Sequence, residues 1–247
     1  MPTGTNSKRK YTYVWVSAIV LIFGVFAVYE ITKRLKEGTV VENDRMGGVT
    51  NFSPLSYVVS NGQKRKVPDF RFLNQDSIQI SNKDYLGKVY VVDFFFTTCP
   101  TICPIMTSNL VELQNTFSEE NGLGFASFSI NPRYDTPSVL KKYANSYGAV
   151  NKDWHFMTGN KEEIYELARE GFYILANEAE DAPGGFEHSG MFALVDKQGY
   201  IRSRTDKFGN PLIYYRGTIS EKEGTNKDGE PQQITMLKED IQKLLAE

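Results

Sequence analysis

The stretch KVYVVDFFFTTCPTICP, residues 88–104, joins an apolar run to two cysteines and two prolines. Its first part, residues 88–96, is rich in β-branched and aromatic side chains, which is typical of a strand buried on both faces. Pro104 fits the first position of a helix, and the apolar residues after it recur at helical spacing: Met106, Leu110, Leu113 and Phe117. The stretch therefore predicts a buried strand, a tight loop and a helix.

Cys99 and Cys103 are the only cysteines among the 247 residues. A residue before proline is disfavoured in the helical region, so Pro100 and Pro104 are expected to keep both cysteines in the loop, with Cys103 just before the helix. The helix N-terminus favours a thiolate over a thiol there. A disulfide between residues so close in sequence gains little loop entropy, so a purely structural bridge is the weaker interpretation. A metal site and a thiol–disulfide exchange pair both stay open.

The two histidines of the chain, His155 and His188, are the candidates for a further metal ligand. A structural zinc site has four protein ligands, whereas two thiolates and one imidazole suit copper(I), and can hold copper(II) with a weak further ligand. His188 lies in a polar, glycine-rich segment just before a predicted strand at residues 191–196, and it is the better candidate. His155 falls inside a short strand predicted at residues 154–157 and is interpreted as structural.

Further along the chain, strands alternate with helices. A strand is predicted at residues 125–130 and a helix after Asp135-Thr136-Pro137, and a hairpin joins residues 191–196 to residues 200–204. A terminal amphipathic helix follows. This order predicts an α/β fold over residues 67–247, with a central mixed sheet flanked by helices, which resembles the thioredoxin-like fold.

Asp93 interrupts the apolar strand six residues before Cys99. Burying a carboxylate is costly and usually has a reason. Thioredoxins carry a buried aspartate at this spacing that moves protons to the dithiol, so Asp93 is a candidate proton relay. An equally weighted interpretation is a side chain at the rim or one held by a local hydrogen bond. The segment before Met191 lacks the proline that faces the cysteine loop in thioredoxins, which weighs against oxidoreductase activity.

The N-terminal region has a different character. Residues 11–29 contain no charged side chain and are long enough for a hydrocarbon core of about 30 Å. They predict a transmembrane anchor at residues 11–30, after a short tail (1–10) and before a polar tether (31–66). A short tail and a large C-terminal body favour a single-pass protein of the inner cell membrane, with its C-terminal domain on the periplasmic or extracytoplasmic side.

The net charge of −2 and the lack of a basic stripe exclude a nucleic-acid partner.

Several motifs together resemble the Sco/SenC family of thioredoxin-like copper chaperones. They are the Cys-Pro-x-x-Cys-Pro element with its preceding strand (94–104), residues 129–137, residues 154–159 and His188-Ser189, in this order. The resemblance covers roughly residues 67–205. The sequence departs from the family at Asn131, where an aspartate is common, and residues 204–230 form a longer stretch than the family core has.

The resemblance implies that one copper ion, Cu(I) or Cu(II), binds through Cys99, Cys103 and His188. It also implies delivery of that copper to a haem-copper (cytochrome c) oxidase subunit during assembly. The expected partners are the membrane, the receiving oxidase subunit and a thioredoxin-like reductant. The alternative is a membrane-anchored thiol–disulfide oxidoreductase that uses the redox pair Cys99 and Cys103, with Asp93 as proton relay, on extracytoplasmic proteins.

Overall fold

A computed structural model describes residues 7–36, 55–60, 62–179, 181–205 and 208–247 of the chain. The chain divides into two units, Met1–Gly48 and Val49–Glu247. Residues 1–6 of the predicted tail and residues 37–54 of the predicted tether lie outside the described residues.

The first unit contains helix α1, Ser7–Lys36, which includes the uncharged stretch and continues into lysine and arginine residues on both sides. None of the helices within the described residues combines the length and the apolar character that a membrane crossing requires. The transmembrane anchor predicted at residues 11–30 is therefore not supported.

The second unit is built on a mixed sheet. Its strands, in chain order, are β1 (Ser56–Tyr57), β2 (Val59–Ser60), β3 (Gln63–Lys64), β4 (Arg71–Asn74), β5 (Gln79–Ser81), β6 (Val89–Phe95), β7 (Leu123–Ser129), β8 (Trp154–Thr158), β9 (Ala176–Glu178), β10 (Phe186–His188), β11 (Met191–Val195), β12 (Ile201–Ser203) and β13 (Tyr215–Arg216). The helices are α2 (Cys103–Thr116), α3 (Pro137–Tyr147), α4 (Lys161–Glu166), which a π-helical turn at Leu167–Gly171 continues, and α5 (Ile234–Ala246).

The strand order in the main sheet is β1-β12-β11-β6-β7-β8-β4-β5, and β13 adds to β11. Strands β6, β7 and β8 run parallel, whereas β11 is antiparallel to β6 and β12 is antiparallel to β11. The parallel pairs are connected through helices α2 and α3, as parallel strands require a crossover. The predicted α/β fold with a central mixed sheet is confirmed.

The central strand β6 is buried along its whole length, as its apolar run predicts. Phe94 and Phe95 point to opposite faces of the sheet. Phe94 stacks on Phe128, while Phe95 packs edge-on against Phe156. Each fully buried aromatic side chain contributes roughly 2–3 kcal/mol. Both faces of the sheet are therefore covered by core, which makes β6 a rigid support for the loop that follows it.

The sheet begins earlier in the chain than residue 67. Strand β1 pairs with β12 through Ser56 and Ser203, and Leu55 and Val58 are buried in the core. The stretch expected to be a tether thus contributes an edge strand. A two-residue strand is too short to carry a periodic pattern, so the sequence offers no signal for it.

Candidate metal centre

The loop between β6 and α2 holds Cys99, but not Cys103 as the sequence predicts, because helix α2 begins one residue earlier than expected. Cys103 is the first helical residue, Ile102 is the N-cap and Pro104 occupies the second position. The Ile102 side chain cannot accept a hydrogen bond from the first turn. The Cys103 N–H points instead to Cys99 Sγ at 3.5 Å. The sulfur of Cys99 therefore takes the place of a capping oxygen at the positive end of the helix.

His188 meets the cysteines from the other side of the site. It is the last residue of β10, a short strand that pairs with β9, and it lies just before β11. Its Nε2 lies 3.3 Å from Cys103 Sγ. The ligand atoms of Cys99, Cys103 and His188 all lie within 4.8 Å of one another, and all three side chains are buried. The structure thus brings together the three residues that the sequence predicts as ligands.

The spacing of these donors fits a single metal ion. Metal–sulfur and metal–nitrogen bonds of about 2.3 and 2.0 Å, the lengths known for zinc, place neighbouring donors of a trigonal site roughly 3.5–4 Å apart. Two thiolates and one imidazole form a soft donor set, which selects copper(I) over hard cations such as Mg²⁺ or Ca²⁺. The Nδ1 atom of His188 is buried without a hydrogen-bond partner among the described residues. The chemistry of the three donors and the distances between them therefore fit one copper ion.

The two cysteines differ in their ionisation. The hydrogen bond from the Cys103 thiol is the main effect that lowers the pKa of Cys99 to about 3, and the side chain of His188 and the backbone N–H of Cys103 lower it further. Burial, together with the hydrogen bond to Cys99, raises the pKa of Cys103 far above that of a free thiol. In the metal-free reduced pair, Cys99 therefore carries the negative charge and Cys103 keeps its proton. Binding of a metal to both sulfurs must displace that proton.

Asp93 lies in the middle of β6 and is fully enclosed. Ser127 Oγ donates a hydrogen bond of 2.5 Å to its Oδ1, and Trp154 Nε1 donates one to the same serine. Burial raises the pKa of Asp93 to about 7, although the Ser127 hydroxyl acts in the opposite direction. A negative charge on Asp93 in turn raises the pKa of Cys103. The position is thus not at a rim, and the carboxyl has both a local hydrogen bond and an electrostatic link to the site.

Asp135 holds the start of the cysteine loop, a role that sequence reasoning missed. Its buried carboxylate accepts hydrogen bonds from Ser129 Oγ at 2.5 Å, from the Thr97 backbone N–H at 3.1 Å and from the Thr97 hydroxyl. Thr97 precedes Cys99 by two residues. In the sequence, Asp135 stands directly before Thr136-Pro137 at a predicted helix start. An aspartate is common at such a position, so its contact with the distant Thr97 is not predictable from the sequence.

His155 lies elsewhere in the sheet. It belongs to β8, where its Nδ1 lies 3.2 Å from the side-chain amide of Asn74 and its ring packs edge-on against Tyr85. Burial lowers its pKa. It is not among the residues that surround the two sulfurs.

Comparisons with known proteins place the chain among relatives of one family. A family model described as SCO1/SenC matches residues 58–218. The SCO1 protein homolog of Bacillus subtilis (strain 168) is 35% identical over 157 residues, which are 63% of this chain and 77% of that protein.

Two solved structures share the fold. A SCO1/SenC family lipoprotein from Bacillus anthracis str. Ames has a TM-score of 0.61 and 30% identity, covering 74% of this chain and 96% of its own. BsSco, described as a member of the Sco family of cytochrome c oxidase assembly proteins with a disulfide switch, has a TM-score of 0.58 and 30% identity over 73% of this chain and 94% of its own.

Proposed function

This chain belongs to the SCO1/SenC family, and from that premise we propose that it is a copper chaperone that binds one copper ion through Cys99, Cys103 and His188. The observation that carries the proposal is the group of three buried soft donors within 4.8 Å of one another. We further propose that the copper is delivered to the copper centre of a haem-copper (cytochrome c) oxidase during its assembly. BsSco, at 30% identity, is described as a member of a family of cytochrome c oxidase assembly proteins.

The arrangement of donors suits transfer as well as binding. Three protein ligands leave room for a fourth, so a thiolate or thioether of the receiving protein can add before one of the three leaves. Pro100 and Thr101 beside Cys99 are exposed, which gives such a partner an approach. Copper then moves by ligand exchange and is never released as a free ion.

Anaerobic copper(I) titration of the reduced chain tests the binding site. We expect one copper per chain, a loss of high-affinity binding in Cys99→Ser and Cys103→Ser, and more than about 100-fold weaker binding in His188→Ala, because replacing even an outer-shell partner of a ligand typically costs about 10- to 100-fold. His155→Ala is the matched control, because it removes the other histidine of the chain, and it should bind copper like the wild type. Unchanged copper affinity in His188→Ala would exclude His188 from the site.

A thiol–disulfide reductase is the second candidate function, and the buried Asp93 is the observation that favours it. A carboxyl with a pKa near 7 can take up and release a proton at neutral pH, as a dithiol partner requires. A thioredoxin-like reductant would then return the cysteines to the reduced state. We expect Asp93→Asn to slow the reduction of a mixed-disulfide substrate if this activity exists, whereas no turnover with any dithiol donor would argue against it.

We also propose that the folded domain works on the extracytoplasmic side of the cell membrane, where the oxidation of its cysteine pair is chemically permitted. Alkaline phosphatase fused to the C-terminus, which is active only outside the cytoplasm, tests this location. An inactive but stable fusion would argue for a cytoplasmic domain.

A further inference from the structure

Residues 215–219, in a stretch to which the sequence assigns no role, lie beside the strand that follows His188. Their strand β13 pairs with β11 in antiparallel register, with Arg216 opposite Met191 and Tyr215 opposite Phe192. Tyr215 is buried, and its hydroxyl donates to Asp240 of α5 at 2.8 Å. The stretch is thus anchored in the core directly beside β11, the strand that follows His188.

The end of β13 contacts the loop that carries His188. The Gly217 N–H donates to the carbonyl oxygen of Gly190, two residues after His188, at 2.8 Å. Gly190 has no room for a side chain, because a Cβ there would collide with the methyl group of Thr218 and would lie 3.4 Å from the Ile102 side chain. The loop after His188 is therefore held between Thr218 and Ile102, the neighbour of Cys103.

Asn109 connects the residues that follow β13 to helix α2, which begins at Cys103. It lies on α2, six residues after Cys103, and only 1% of it is exposed. Its side-chain amide donates to the carbonyl oxygens of Gly217 at 2.8 Å and Ile219 at 3.3 Å. A single buried side chain thus joins the helix that begins at Cys103 to the residues that hold the His188 loop. We refer to Asn109 and residues 217–219 together as the brace.

We propose that Asn109 is a positioning residue whose brace sets the separation of His188 from Cys103. The inference rests on the proposed function, because this separation matters for copper only if His188 and the cysteines bind the same ion. Removal of the amide donors leaves two buried carbonyl groups without their partner, and the brace must shift to satisfy them. Residues that orient a metal ligand typically change metal affinity by about 10- to 100-fold when they are replaced.

The test compares Asn109→Leu with Gln114→Leu in the full chain. Gln114 is a matched control: it lies on the same helix, is also buried, and its side-chain amide also bonds backbone groups, those of Gly148, Val150 and Asn151 in the connection from α3 to β8. Both variants should unfold at lower denaturant concentration. We expect only Asn109→Leu to speed copper dissociation about tenfold and to alter the thiolate-to-copper(II) charge-transfer spectrum.

A double variant and a metal-free measurement complete the design. Asn109→Leu should add little to the copper dissociation rate of His188→Ala, because both changes act through the same ligand. In the metal-free reduced chain, amide hydrogen exchange at Gly217 should be faster in Asn109→Leu and unchanged in Gln114→Leu. If the two leucine variants had equal effects on copper dissociation and on the exchange at Gly217, the proposed role of the brace would be overturned. Unchanged copper binding in His188→Ala would instead contradict the proposed function.

A second pair of variants covers the case in which Asn109→Leu does not fold. Gly190→Ala should push the His188 loop away from Thr218 and speed copper dissociation. Thr218→Ser removes the methyl group with which that Cβ collides, so the double variant should return the dissociation rate toward that of the wild type. Failure of this rescue would also overturn the proposal.

Discussion

Among single residues, the buried carboxyl of Asp93 is expected to make the free energy of unfolding depend on pH. Its pKa rises from 3.8 to about 7 on folding because the folded chain removes it from water. Between these pH values the folded state holds a proton that the unfolded state has lost, so the free energy of unfolding falls as pH rises. Below about pH 4 both states are protonated, and above about pH 7 both are ionised, so the dependence is confined to this window.

Asp93→Asn should remove this dependence, because an amide does not ionise and can still accept the Ser127 hydrogen bond. We expect the stability of the variant relative to the wild type to increase by up to about 4 kcal/mol between pH 4 and pH 8. Urea unfolding of the reduced chain at several pH values measures the difference. A difference that is constant with pH would mean that folding does not raise the pKa of Asp93.

Residue chemistry also decides how much of the site the sequence predicts. Cys99, Cys103 and His188 are rare residue types in a distinctive order, and the structure brings them together as expected. Asn109 and Asp135 are common polar residues with no such signal. The partner of Asn109 lies 108 residues away in the sequence, so only the fold reveals that it serves the His188 loop.

At the scale of elements, helix α5 is attached to the sheet by a buried ion pair as well as by apolar contacts. Asp240 Oδ2 accepts from Arg204 Nε at 2.5 Å and from Tyr215, and Asp240 is completely buried. The apolar spacing of Leu237, Ile241 and Leu244 predicts the helix. It does not predict the ion pair, because an acidic residue in an amphipathic pattern is normally solvent-facing.

Asp240→Asn should destabilise the fold by about 3 kcal/mol, because it leaves the buried guanidinium of Arg204 without its buried counter-charge. Glu239→Gln is the matched control: Glu239 also pairs with Arg204, but its side chain is 56% exposed. Its replacement should cost less than about 1 kcal/mol. Chemical unfolding of both variants checks the contrast, and equal losses would show that the two carboxylates contribute alike.

Across the whole sheet, the predicted order of strands and helices accounts for five strands, β6, β7, β8, β11 and β12, because parallel strands joined by helices leave few topologies. Strands β1, β4, β5 and β13 escape prediction. Strands β1 and β13 have two residues each and are held by partners distant in sequence, so the local pattern does not indicate them. Strand β13 leads into residues 217–219 of the brace, so the sequence does not reveal the residues that support the His188 loop.

The same pair of sulfurs cannot bind copper and form a disulfide at once, and this exclusion should appear in the stability of the whole chain. A ligand that binds only the folded, reduced protein stabilises it by about 2.7 kcal/mol when its concentration is 100 times the Kd. We expect copper(I) to raise the Tm of the reduced chain and to leave the Tm of the oxidised chain unchanged. Cys99→Ser, which can form neither the copper site nor the disulfide, should respond to neither copper nor oxidant. An equal copper-induced rise of Tm in the oxidised chain would show that copper stabilises the protein at a site other than Cys99 and Cys103.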